Sequence, residues 1–128
     1  MTPRLKSEFW VSALVKRAQS LGGFSTVLRK GDRDAGIALI ILRNKHDQTL
    51  YTPERSFEGE RQWREVSIVD QAELDAIVNR RIDEDPDIWL VEIESDKPAE
   101  TLIGEPVITG LSDPDPTQAA AEALFRGK

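Results

Sequence analysis

Seven consecutive residues, Gly36-Ile37-Ala38-Leu39-Ile40-Ile41-Leu42, carry no polar side chain. A β-strand turns successive side chains to opposite faces. A strand made from this run is apolar on both faces, and both need cover. The run is rich in β-branched residues, so it reads as a central strand. Whatever else the chain forms has to close around it.

The flanking segments supply candidates. Within residues 5–21, Trp10, Val11, Leu14, Val15, Ala18 and Leu21 fall on one helical face, and Gly22-Gly23 is a natural stop. Ser7 is the candidate N-cap. Phe9 and Ala13 lie off the stripe, open to a second element or a partner. Phe24 to Lys30 alternates like a strand, with Phe24, Thr26 and Leu28 on one side and Ser25, Val27 and Arg29 on the other. Gly31-Asp32-Arg33-Asp34-Ala35-Gly36 has turn chemistry. After the central run, Arg43 to Gln48 turns the chain, Thr49 to Thr52 is a short strand closed by Pro53, and Arg61 to Val69 is a fourth strand. Asp70 and Glu73 form a capping-box variant opening a second helix, with Leu74, Ile77, Val78 and Ile82 as its stripe and Pro86 as its end. Ile88 to Glu94 is another strand. Residues 96–116 then hold four of the 7 prolines and few large apolar groups. They read as a linker or loose tail, with a short helix beginning at Asp115-Pro116.

The expected fold is α+β: a mainly antiparallel sheet of four to five strands in a meander, with two helices packed on one face. Residues 1–95 form the single domain. Residues 96–128 are a Pro-rich linker and a short C-terminal helix, partly disordered and loosely attached.

Composition removes many chemistries. The chain has no cysteine, which excludes disulfides, thiolate zinc sites and cysteine nucleophiles. One histidine excludes a multi-histidine metal site within a chain. No apolar run approaches the roughly 18 residues of a membrane span. The N-terminal segment lacks the apolar core and cleavage site of a signal peptide, so the expected setting is cytoplasmic. The formal charge of −6 hides an asymmetry. Residues 1–64 hold 12 Lys/Arg against 7 Asp/Glu, and residues 65–128 hold 5 against 16. The halves either neutralise each other across the fold or leave a basic and an acidic side.

Several clusters invite a chemical reading. Asp32 and Asp34, two apart on a turn, are weak cation candidates. Ala35 stands where a third acidic ligand belongs, however, and a tight turn explains the same residues. Asp83-Glu84-Asp85-Pro86-Asp87 places four carboxylates at a helix C-terminus, a solvated acidic corner that pairs with Arg80, Arg81 or the basic half. Arg81 snorkels past Ile77 and Val78 or pairs with Asp85 or Asp87. His46 beside Asp47 is an exposed turn residue with no nucleophile near it in sequence. Gly22-Gly23 follows a helix and lacks the context of a dinucleotide fingerprint. Arg43, Arg61, Trp63 and Arg64, with Lys45, form the candidate interaction surface: cations for phosphate and an aromatic for stacking. The acidic total makes nucleic acid the weaker use of that surface.

Three stretches together carry a resemblance. They are Arg4-Leu5-Lys6-Ser7 leading into the Trp10 helix, Gly31-Asp32-Arg33-Asp34-Ala35-Gly36, and Asp85-Pro86-Asp87-Ile88-Trp89-Leu90-Val91-Glu92-Ile93-Glu94. They resemble a family of small uncharacterised alphaproteobacterial proteins known as a domain of unknown function. The resemblance spans residues 4–94 and leaves the tail outside, and its last stretch is the most specific. It implies a bacterial cytosolic setting and brings no activity, cofactor or catalytic residue.

The leading functional expectation is a non-catalytic binding or protein-interaction module without cofactor or metal. A homodimer through a sheet edge or the tail is one form of it, and no membrane is involved. The alternatives are a small cation-dependent hydrolase using Asp32, Asp34 and the acidic corner, and a weak nucleic-acid binder.

Overall fold

A computed structural model describes residues 5–109. In chain order its elements are α1 (Ser7–Ser20), β1 (Phe24–Arg29), β2 (Ala38–Arg43), β3 (Gln48–Arg55) and β4 (Arg61–Ser67). They continue with α2 (Gln71–Glu84), β5 (Trp89–Glu94), α3 (Ala99–Ile103) and β6 (Val107–Ile108). The class is α+β, as expected, but the sheet has six strands in the order β1-β5-β2-β3-β4-β6 and is mixed. β5 runs antiparallel to β1 and parallel to β2, and β6 runs parallel to β4.

The meander therefore breaks at its start, because β5 lies between β1 and β2. Two strands are apolar on both faces: β2, with Ala38 to Ile41 buried, and β5, with Trp89, Leu90, Val91 and Ile93 buried. Both need the centre of the sheet, and side by side they share it. β1 carries less apolar surface and is displaced to the edge.

The helices also depart from expectation, since they cover both faces. Val11, Leu14 and Ala18 of α1 pack with Ala38, Ile40, Tyr51, Trp63, Val91 and Ile93, joined by Leu102 and Ile103 of α3. Leu74 and Val78 of α2 pack on the other face with Leu39, Ile41, Leu50, Ile88 and Leu90. A single helical layer would leave Leu39 and Ile41 in water, at a loss of about 1.5–3 kcal/mol for each such side chain.

The described part of the expected linker, residues 96–109, is not loose. Leu102 and Ile103 are 1% and 2% exposed, and β6 extends the sheet beyond β4. Gly104, at φ 78, ends α3 in the left-handed conformation that favours glycine. Few apolar residues occur here, but they are spaced to dock. The helix expected at Asp115-Pro116 lies outside the described residues.

Local chemistry accounts for the ends of elements. Asp70 caps α2 by accepting from the Glu73 N–H at 2.9 Å, and the Glu73 carboxylate accepts from the Val69 N–H at 3.0 Å. Ser7 is the first residue of α1 and not its N-cap; its hydroxyl donates to the Gly36 carbonyl at 2.6 Å. β3 continues through Pro53, which faces Trp63 across the ladder. The Trp63 N–H points the other way, to the Pro106 carbonyl at 2.9 Å. The missing Pro53 N–H therefore interrupts no bond to β4.

Candidate functional site

The three stretches that carry the family resemblance meet in space. The Asp32 N–H donates to the Asp87 carbonyl at 2.9 Å, and the Trp89 indole N–H donates to the Asp32 carbonyl at 2.7 Å. A Cβ on Gly31 or Gly36 would overlap the Asp87 carbonyl oxygen, so both glycines are needed for this close approach. The first turn of α1 docks on the same loop. Ser7 and Glu8 donate their backbone N–H groups to the carbonyls of Asp34 and Arg33, and Arg33 Nε bonds Glu8 Oε2 at 2.7 Å. The motifs build a joint between α1, the β1–β2 turn and the start of β5.

Beside this joint opens a cleft of about 570 Å³, bordered by Leu5, Trp10, Ile37, Pro53, Arg55 and Arg61. Trp10, Arg61 and Glu105 on its wall belong to an interlocked cluster with the buried Trp63. The rings of Trp10 and Trp63 stack at 5.4 Å between centroids and 13° between planes. The Arg61 guanidinium lies 4.5 Å from the Trp10 centroid. Glu105, just after α3, accepts from Arg61 Nε at 2.8 Å, Arg61 Nη2 at 2.9 Å and Trp63 Nε1 at 2.7 Å. One carboxylate from the supposed tail thus satisfies both an indole and a guanidinium.

The candidate surface of Arg43, Arg61, Trp63 and Arg64 is not one surface. Arg61 opens β4 opposite Arg55, while Arg43 closes β2 opposite Gln48. The seven-residue rise along β3 separates these two ends by roughly 23 Å. Arg43 bonds Glu92 at 2.8 Å and Gln48 at 2.6 Å. Trp63 is 0% exposed, with no ring face left for stacking on a base. Arg64 points to the opposite face from Trp63, is 7% exposed, and pairs with Glu54 at 2.6 Å.

The carboxylates expected as cation candidates serve the turn. Asp32 Oδ2 accepts from the N–H groups of Asp34 at 3.1 Å and Ala35 at 2.8 Å, and Asp34 pairs with Lys6 at 3.6 Å. In the acidic corner, Asp85 Oδ1 accepts from the Asp87 N–H at 3.1 Å. Among the described residues, no three His, Cys, Asp or Glu side chains gather to hold a metal ion. His46 sits in a turn organised by Asn44, whose side-chain oxygen accepts from the His46 and Asp47 N–H groups. Among the described residues, no helix is long and apolar enough to cross a membrane.

A further feature is the edge strand β1. It pairs with β5 on one side, and no described strand pairs with the other. Phe24 is 73% exposed, Leu28 49% and Val27 37%. Phe24 and Thr26 lie on the face that α2 covers elsewhere, opposite Glu94 and Glu92, but the α2 cluster stops short of them. The pairing with β5 shifts between Val27 and Arg29, leaving Leu28 in a bulge. The sequence contains one sign of this exposure. β1 mixes polar and apolar groups on both sides, whereas β2 and the first half of β5 do not.

The fold thus defines a class: small α+β proteins with a mixed six-stranded sheet, helices on both faces and an N-terminal helix pinned to the β1–β2 turn. Residues 5–103 match the family described as protein of unknown function (DUF1491), and the chain belongs to that family. The crystal structure of a DUF1491 family protein from Caulobacter crescentus is 37% identical, with a TM-score of 0.74 over 82% of this chain and 100% of that one. The solution structure of protein Atu0922 from A. tumefaciens is 32% identical, with a TM-score of 0.71 over 86% of this chain and 99% of that one. Both organisms are alphaproteobacteria, in line with the resemblance. No functionally curated protein matches the sequence.

Proposed function

We propose that this chain is a non-catalytic protein-interaction module of the bacterial cytoplasm, and that it docks an extended segment along β1. The observation that carries the proposal is the six-residue edge strand with Phe24, Val27 and Leu28 uncovered. An open edge offers unpaired backbone N–H and C=O groups as a template for another strand, and flanking apolar side chains add selectivity. Among the carboxylates that invited a catalytic reading, Asp32 and Asp85 accept turn N–H groups and Asp34 pairs with Lys6, which supports binding over chemistry. The absence of cysteine suits a reducing compartment.

The test is affinity capture in the native host with the tagged chain and two variants. Phe24→Asp combined with Leu28→Asp should abolish capture of a stoichiometric protein. Phe57→Asp, at a fully exposed loop position away from β1, should leave it intact. Equal capture by all three, with unchanged circular dichroism, would refute docking at β1.

A further inference from the structure

We infer that the segment docked on β1 is β1 of a second copy of this chain, antiparallel, with Thr26 opposite its own counterpart. The inference rests on the strand-docking proposal and names its partner.

Symmetry restricts the register. Two sheets joined edge to edge about a two-fold axis keep equivalent residues on equivalent faces. Residues directly opposite in a ladder also share a face. One residue must therefore stand opposite itself, and β1 offers Ser25, Thr26 or Val27. Centring on Ser25 sets Phe24 against Thr26, and centring on Val27 sets it against Lys30. Only Thr26 at the centre sets Phe24 against Leu28, which the bulge leaves on the Leu90 side of the sheet with Phe24 and Thr26; these are the two most exposed apolar groups of the strand. This happens twice by symmetry, around a Thr–Thr pair of the kind that stabilises antiparallel ladders.

Charge selects the same arrangement. Lys30 is exposed just past one end of β1, where Arg29 is held on its own chain's Pro86 carbonyl at 2.9 Å; at the other end Glu94 stands opposite Phe24 on β5, with Asp96 and Lys97 just beyond. An antiparallel copy brings each Lys30 toward the other's Glu94. The contact is one strand wide, below the roughly 1,000 Å² of a stable interface. The dimer is therefore weak and separates on dilution.

The chain has no cysteine, so one introduced thiol reports cleanly. In this register Thr26→Cys places two Cα atoms about 4.5–5.5 Å apart, inside the range that a disulfide spans. Under mild oxidation of the full chain, Thr26→Cys should cross-link about tenfold or more faster than Phe57→Cys, which reports random collision. Sedimentation velocity of the unaltered chain should show a mass that rises with concentration. Equal cross-linking rates together with a monomer at every concentration would overturn the inference. If capture of a different protein still depends on Phe24 and Leu28, strand docking survives and the second copy does not. If deleting residues 110–128 is what permits Thr26→Cys to cross-link, the edge belongs to that segment, and the inference likewise falls.

Discussion

Replacing Glu105 with alanine removes the acceptor of three hydrogen bonds: from Arg61 Nε, Arg61 Nη2 and Trp63 Nε1. The Arg61 and Glu105 side chains are 34% and 26% exposed, so solvent screens their ion pair and its loss costs about 1 kcal/mol. Trp63 is different. Its ring is 0% exposed, and an indole N–H left without an acceptor there costs about 1–3 kcal/mol. The expected total is about 2–4 kcal/mol, a large share of the 5–15 kcal/mol typical of a domain. Glu105→Gln keeps an oxygen for the indole and loses the charge, so it should cost about 1 kcal/mol. Urea unfolding followed by tryptophan fluorescence measures both. In the Trp63→Phe background the donor is gone, and Glu105→Ala should cost about 1–3 kcal/mol less than in the parent. A change under about 0.5 kcal/mol for Glu105→Ala, or full additivity with Trp63→Phe, would refute the account of this cluster.

Two further outcomes follow from the packing. Gly36→Ala drives a Cβ into the Asp87 carbonyl and should destabilise by about 1–3 kcal/mol in the same urea assay; a neutral result would mean that the joint between the β1–β2 turn and β5 yields freely. Burial, with the Glu65 charge and hydrogen bond behind it, pushes the Tyr51 phenol well above its ordinary pKa of 10.0. The neutral phenol is favoured in the fold, so this contribution is complete below about pH 10 and is lost as pH rises beyond it, at about 1.4 kcal/mol per unit. Tyr51 is the chain's one tyrosine, so phenolate absorbance should appear only as the fold opens, and Tyr51→Phe should remove this component of the alkaline loss. Phenolate absorbance rising near pH 10 in the intact fold would contradict it.

Elements were legible in the sequence where one period dominates over many residues. The stripe of Val11, Leu14 and Ala18 and the capping residues Asp70 and Glu73 define α1 and α2 from local chemistry. The β2 run announces a strand buried on both faces. Strand order was not legible, because it is decided between distant segments: β5 outcompetes β1 for the place beside β2. α3 is not legible in the sequence because Leu102 and Ile103 are a short apolar pair in a Pro-rich stretch, with nothing local to show that Trp63 and Tyr51 wait for them. Arg61, Trp63 and Arg64 looked like one surface because they are close in sequence. The period of two sends Arg64 to the opposite face, a separation readable in advance. The role of Glu105 was not, since it depends on where the chain returns.

The parallel pairing of β2 with β5 also governs the order of events during synthesis. Ala38 meets Trp89, 51 residues later, and no hairpin can bring them together. β2, β3 and β4 can pair as soon as they leave the ribosome, while β1 and the outer edge of β2 must wait for residue 94. Until then the most apolar strand of the protein offers an open edge to every neighbouring chain. Closing so long a loop is slow compared with hairpin formation. The growing chain therefore passes through an interval in which its own centre is its most adhesive surface, and in which holding by chaperones matters most.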